Sequence, residues 1–150
     1  MRALIQRVTK ASLSVDNTLI SQIQLGLVIY LGVESEDVEE DINYLVKKCS
    51  QLRIFNDADG KMNASIMDVQ GDFMVISQFT LHAKTKKGNR HSFIRAANPD
   101  YAFKLYEDFK DILKRYCGLN VVSGVFGAHM QIEQSNNGPV SIWLDSKNKE

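Results

Sequence analysis

The sequence predicts an α+β domain in which a curved or barrel-like, mostly antiparallel or mixed sheet packs against two amphipathic helices. Three observations carry that expectation. Strand-type runs outnumber all other elements. Only two segments repeat apolar residues at the helical period. No internal repeat, low-complexity segment or Pro/Ser-rich linker divides the 150 residues. Residues 1–150 are therefore expected to form one domain, long enough to bury a self-sufficient core.

Ala3 to Val15 holds short apolar runs of strand type, broken by Gln6-Arg7 and Thr9-Lys10. Asp16-Asn17 supplies turn chemistry before Leu19-Ile20-Ser21-Gln22-Ile23, which predicts a hairpin. Gly26 punctuates, and Leu27-Val28-Ile29-Tyr30-Leu31 is a continuous apolar run suited to a strand buried on both faces.

The first helix follows, with Val38, Ile42, Leu45, Val46, Cys49 and Leu52 on one stripe. Acids crowd its start, where they complement the helix dipole, and Ser35 or Asp37 is the expected cap. Asn56 to Lys61 resembles half of a calcium loop, but Ile66 stands where the bidentate Glu would be. A plain turn is the expectation. Phe73 to Leu81 is an apolar strand that turns polar at its end.

Asn98-Pro99-Asp100 opens the second helix with cap, N1 proline and first-turn acid in order. Ala102, Leu105, Tyr106, Phe109, Ile112, Leu113 and Tyr116 form its stripe, and Gly118 is the natural stop. Three further strand-like runs close the chain, at Val121–Phe126, Met130–Glu133 and Val140–Leu144.

Eighteen basic and eighteen acidic residues cancel, so nucleic-acid contact has to come from a local patch. The start of the chain has no apolar run of signal-peptide type, and nowhere do eighteen apolar residues run together. A cytoplasmic location without membrane contact is expected. Cys49 and Cys117 are too few and too far apart for a metal site or disulfide framework, and are expected to be buried free thiols. His82, His91 and His129 show no zinc-ligand spacing and no nucleophile elbow, so neither a metal nor another cofactor is expected. A Ser77–His82 pair remains open, because a triad is set by geometry rather than order.

Two polar clusters interrupt apolar runs: Ser77-Gln78-Phe79-Thr80-Leu81, and Asn136-Asn137-Gly138-Pro139-Val140-Ser141. Taken alone, each also fits a solvated strand end or an ordinary turn. An X-Pro bond is cis in only about 5–6% of folded cases, so the state of Gly138-Pro139 is not read from local sequence. Between the clusters, His82 to Arg95 carries Lys84, Lys86, Lys87, Arg90 and Arg95 and no acid. That is either a phosphate footprint or a solvated basic loop.

Together, the opening Met1-Arg2-Ala3-Leu4-Ile5-Gln6-Arg7-Val8, the Ser77–Leu81 cluster, the Thr85-Lys86-Lys87-Gly88 loop and the Asn136–Ser141 cluster closely resemble the bacterial and eukaryotic D-aminoacyl-tRNA deacylase family, end to end. The resemblance implies that family's fold and a homodimer with active sites at the subunit interface. It implies that Ser77, Gln78, Phe79 and Thr80 line the pocket for the terminal adenosine and the ester. It implies that Gly138-Pro139, joined by a cis peptide, enters the partner's pocket and excludes an L side chain, with Asn136 and Ser141 supporting the motif. Lys84, Lys86, Lys87 and Arg90 would then meet tRNA. The implied substrates are tRNAs charged with a D-amino acid or glycine. Catalysis would use the RNA's own ribose hydroxyl rather than a side-chain base.

Two positions depart from the family pattern. Ser141 stands where Thr is usual, and His91 stands where Pro is frequent. Two rival functions use the same residues, a non-catalytic tRNA-binding module and a serine esterase built on Ser77.

Overall fold

The computed structural model describes residues 1–86, 89–90 and 92–149. Among the described residues, eight strands and two helices follow in the order β1 (Arg2–Val15), β2 (Thr18–Ile23), β3 (Gly26–Gly32), α1 (Glu39–Gln51), β4 (Phe55–Asn56), β5 (Met62–Ala64), β6 (Asp72–Ser77), α2 (Pro99–Cys117), β7 (Val121–Ser123) and β8 (Met130–Asp145). A 3-10 turn, Phe79–His82, follows β6.

β1 organises the sheet. β8 runs antiparallel along one edge of it, from Arg2↔Asp145 to Val15↔Met130. β3 and then β2 line its other edge, also antiparallel. β6 joins β3 in parallel and β7 joins β6 in parallel, so the sheet is mixed. α1 and α2 are the crossovers that parallel pairing requires. β4 and β5 form a separate hairpin, whose turn spends the Asp57 carboxylate on the N–H groups of Asp59 (3.0 Å) and Lys61 (2.9 Å).

The two faces of the sheet explain the apolar patterning. Leu27, Ile29, Leu31, Phe73 and Val75 pack with the helix residues Leu45, Cys49, Tyr106 and Phe109 in one core. Val28, Met74 and Ile76 face the other way into a second core with Val8, Leu13 and Ile23. Both runs are thus buried on both faces, and the sheet curls toward a nearly closed barrel around the second core.

Several elements differ from the sequence expectation. β1 is one strand of 14 residues, and the polar breaks at Gln6-Arg7 and Thr9-Lys10 mark bulges against β8 at Gln6/Val8 and Val8/Lys10. Across those bulges the odd-numbered residues change sides: Ala3 and Ile5 face the first core, Ala11 and Leu13 the second. Likewise Met130–Glu133 and Val140–Leu144 belong to the single strand β8, with residues 137–140 a bulge rather than a turn. β6 stops at Ser77 and the chain rolls into the 3-10 turn. β7 stops at Ser123, short of Phe126.

The caps follow the same accounting of backbone groups. α1 is preceded by Val38, not Ser35 or Asp37, and Asp41 reaches back to accept the Val38 N–H at 2.9 Å. Asp37 is buried instead, accepting from the Met1 ammonium and the Glu34 N–H. α2 opens as expected, with Asn98 accepting the Tyr101 N–H at 3.0 Å, and ends on Gly118 at φ 67°. Tyr116 lies on the exposed rim, where its hydroxyl accepts from Gln51. Cys49 is fully buried, and burial pushes its thiol up to about 12; Cys117 is only half-buried. Asp16 and Asn17 both take positive φ, as a two-residue hairpin turn requires. Among the described residues no helix is long and apolar enough to cross a membrane.

Candidate active site

A cavity of about 500 Å³ opens at the carboxyl ends of the parallel strands β3 and β6, where parallel α/β sheets usually take ligands. Leu31 and Ile76 bring strand residues to it, Ala102 and Tyr106 bring α2, and Phe126 and His129 bring the segment ahead of β8. The lining is mostly apolar. Tyr106 donates its hydroxyl to the Val75 carbonyl at 2.8 Å, and burial raises its pKa well above the phenol range. Phe126 packs edge-on to Phe103 and tilted on Tyr106.

Polar chemistry enters at the end of β6. Ser77, Gln78 and Phe79 line the cavity. Gln78 is tied to the end of β3 by its N–H, which donates to the Leu31 carbonyl at 2.8 Å. Its side-chain amide donates to the Thr80 hydroxyl. Thr80 itself is exposed and is not part of the cavity wall. The first N–H groups of a helical turn have no acceptor within it, and here they belong to Phe79 and Thr80. Phe79 is exposed at the mouth and stacks edge-to-face with Phe93, their ring centroids 4.8 Å apart.

The turn is anchored from below. Arg2 donates to the Leu81 carbonyl at 2.9 Å while its Nε holds Asp145 at 2.8 Å. Burial alone would push the Asp145 carboxyl up, but Arg2 and the N–H groups of Lys147 and Asn148 outweigh it and hold the pKa below the ordinary value. His82, last in the turn, is fully buried, with Nδ1 4.0 Å from a Glu34 oxygen that Arg95 holds at 2.7 Å. Neither ring nitrogen of His82 has a hydrogen-bond partner among the described residues. The Ser77–His82 pair required by a serine esterase is therefore not formed.

The second motif lies elsewhere. None of residues 136–141 lines the cavity. Gly138-Pro139 is joined by a cis peptide, with Gly138 at φ 125°. That backbone angle favours glycine, and a Cβ there would also sit 3.0 Å from Arg7 Nη2 and 3.1 Å from Val140 Cγ2, so both neighbours would have to give way. Arg7 is buried beneath the bulge and donates to the carbonyls of Asn137, at 3.0 Å, and of Ile54. Asn136 and Ser141 flank the bulge and accept side-chain amides, from Gln134 at 2.7 Å and from Gln6 at 3.1 Å.

Lys84, Lys86 and Arg90 are exposed, and Lys84 exchanges two backbone hydrogen bonds with Ser92. The expectations for Lys87, Gly88 and His91 lie outside the described residues. Among those residues, no cluster of His, Cys, Asp and Glu has the arrangement of a metal site. Sequence reasoning missed Arg7 as the support of the bulge, and His129 and Phe126 as cavity wall. The signals were slight: a cation inside an apolar strand, and a short Gly-containing loop.

Comparison with known proteins supplies the family context. The family model described as D-Tyr-tRNA(Tyr) deacylase matches residues 4–145. A protein of Flavobacterium johnsoniae named D-aminoacyl-tRNA deacylase is 49% identical over 150 residues, covering 100% of both chains. A solved structure named c-Myc DNA Unwinding Element Binding Protein superposes with a TM-score of 0.92 at 38% identity, covering 97% of this chain and 98% of that one. A second, described as a probable eukaryotic D-amino acid tRNA deacylase, superposes with a TM-score of 0.82 over 95% of this chain and 97% of that one. At 18% identity it speaks for the fold alone.

Proposed function

This chain belongs to the D-Tyr-tRNA(Tyr) deacylase family, and on that premise we propose that it hydrolyses the ester of D-aminoacyl-tRNA in the cytoplasm, acting as a homodimer and excluding L-amino acids. The observation that carries this is the 3-10 turn at the mouth of the cavity, which begins at Phe79 on the cavity wall and leaves the N–H groups of Phe79 and Thr80 without an acceptor inside the turn. Its volume of about 500 Å³ is within the usual range for small-ligand sites.

Aminoacyl esters are activated, and little is asked of the protein beyond orientation. The terminal ribose hydroxyl next to the ester directs a water onto the carbonyl carbon. The developing oxyanion meets the Phe79 and Thr80 N–H groups, an arrangement worth about 3–4 kcal/mol per donor at other enzymes. Collapse breaks the bond from carbon to the ribose oxygen, which takes up a proton and leaves as tRNA, and the amino acid departs as its carboxylate. This scheme needs no side-chain base, which suits the absence of a Ser77–His82 hydrogen bond among the described residues.

Gly138-Pro139 of one protomer is proposed to enter the cavity of the other. Mirror-image substrates carry identical groups, so attraction alone separates them poorly, and a stiff obstacle where only the L side chain points does better. Glycine has no side chain to exclude, so glycyl-tRNA is a proposed second substrate.

Purified protein at low concentration is to be given matched D-tyrosyl-tRNA and L-tyrosyl-tRNA. Rapid loss of the D ester with the L ester intact is expected. Equal cleavage would overturn the chirality filter. Binding of tRNA without cleavage of either ester would favour a non-catalytic role instead.

A further inference from the structure

The bulge of β8 lacks most of its backbone pairing. Asn136 pairs with Val8 and Ser141 with Gln6, so Arg7 alone stands opposite Asn137, Gly138, Pro139 and Val140. Side chains replace the missing ladder. Arg7 holds the middle through the Asn137 carbonyl. The ends are held by a chain of hydrogen bonds that begins on β3, where the Tyr30 hydroxyl donates to Gln134 Oε1 at 3.2 Å. Gln134 then spends its amide N–H groups on Gln6 Oε1 and Asn136 Oδ1, both at 2.7 Å. Gln6 in turn donates to Ser141 Oγ at 3.1 Å.

We infer that Gln6 and Gln134 are positioning residues for chiral discrimination, fixing the two flanks of the Gly138-Pro139 bulge relative to each other. The inference rests on the proposed role of Gly138-Pro139 as the obstacle to L side chains. A primary amide is both donor and acceptor, so the orientation of one amide dictates the next, and successive bonds in a chain strengthen one another. Tyr30 sets the direction at one end because its hydroxyl donates to Gln134. At the other end the acceptor is the Ser141 hydroxyl. An obstacle discriminates only as well as it keeps its place, and a shift of about 1 Å in a positioned group can cost on the order of a hundredfold.

The test measures D- and L-tyrosyl-tRNA hydrolysis by Gln6→Met, Gln134→Met, Ser141→Ala and Ser141→Thr, alone and combined with Pro139→Ala. The ratio of L to D rates is expected to rise roughly tenfold in each of the first three, the scale of one or two lost hydrogen bonds. It should stay at the wild-type value in Ser141→Thr. Gln6→Met should add nothing once Pro139 is alanine, because both act through one element. Ser141 is exposed, so its two variants carry the test if a glutamine variant does not fold. An unmoved ratio in Ser141→Ala and both glutamine variants, with Pro139→Ala leaking L substrate, overturns the inference and leaves the obstacle standing. An L ester still protected in Pro139→Ala overturns the obstacle and the positioning role together. Additive losses would assign Gln6 a role independent of the bulge and overturn the inference as well.

Discussion

Ser77–Thr80 and Asn136–Ser141 are both polar interruptions of apolar strands, yet the fold treats them oppositely. The first sits on a 3-10 turn at an open cavity, with Phe79 and Thr80 exposed. The second is held by a buried arginine and by side-chain amides at both ends. One region offers space and backbone donors, the other a fixed shape. On the proposed function, reaction and selection are thereby divided between two elements, of which only the first lines the cavity at the ends of β3 and β6, and a second copy brings them together. The division tells where side-chain deletions should be mild and where severe.

The largest expected effect comes from the substrate rather than the protein. With a 2′-deoxy terminal ribose on D-tyrosyl-tRNA, turnover should fall by about a hundredfold or more, the scale of a missing acid–base group. Ser77→Ala or Thr80→Ala should cost about tenfold or less, the scale of one hydrogen bond. Single-turnover rates for the two substrates and two variants decide the matter. Substantial turnover of the deoxy substrate would return chemistry to the protein's side chains and erase the contrast.

Arg7→Met tests the rigid region. It leaves the carbonyls of Asn137 and Ile54 without their donor, and should lower stability by about 2–3 kcal/mol, as for hydrogen bonds to a charged group. Urea unfolding measures that loss, and hydrogen exchange should show it concentrated at residues 136–141. Uniform loss of protection across β1 and β8 would make Arg7 a general core residue rather than the support of the bulge.

Acid should separate the two regions. Burial holds the His82 imidazole below its ordinary pKa, against the opposing pull of the Gly32 backbone and of Glu34. The unfolded chain takes up this proton near pH 6.5 and the folded chain only at lower pH. Any stability tied to His82 is thus complete above about pH 6.5 and declines as pH falls below it. Protection of residues 79–83 is expected to drop as the pH falls below about 6.5, with residues 136–141 little changed. His82→Leu should abolish that difference. An acid response shared by both segments would place its cause outside His82.

How much of this was legible in the sequence follows from the range of each interaction. The α2 boundaries were readable because Asn98, Pro99 and Gly118 act within one turn of themselves. So was the Asp16-Asn17 hairpin. The continuity of β1 and β8 was not, because a bulge looks like a break to a period-two pattern and only the partner strand reveals it. The two site motifs were visible as polar interruptions, and the family resemblance gave them roles. Their supports were invisible: Arg7 to Asn137 and Gln6 to Ser141 span 130 and 135 positions. His129 joins the cavity wall only because β8 returns beside β1.

The smallest expected effect belongs to neither region but to the basic segment beside the cavity. Lys84 and Lys86 are exposed, and exposed cations contribute to RNA binding chiefly by releasing counterions from phosphates. Removing one cation from a phosphate flattens the plot of log affinity against log salt by about 0.7 for a single strand and by about 0.9 for a duplex. Lys84→Ala with Lys86→Ala should therefore reduce the slope by roughly 1.5, measured by filter binding of uncharged tRNA at several salt concentrations. The ratio of D to L hydrolysis should not move, because these side chains lie on neither the cavity wall nor the bulge. A slope unchanged from wild type would make the segment a solvated loop, and tRNA affinity would then have to come from the cavity mouth alone.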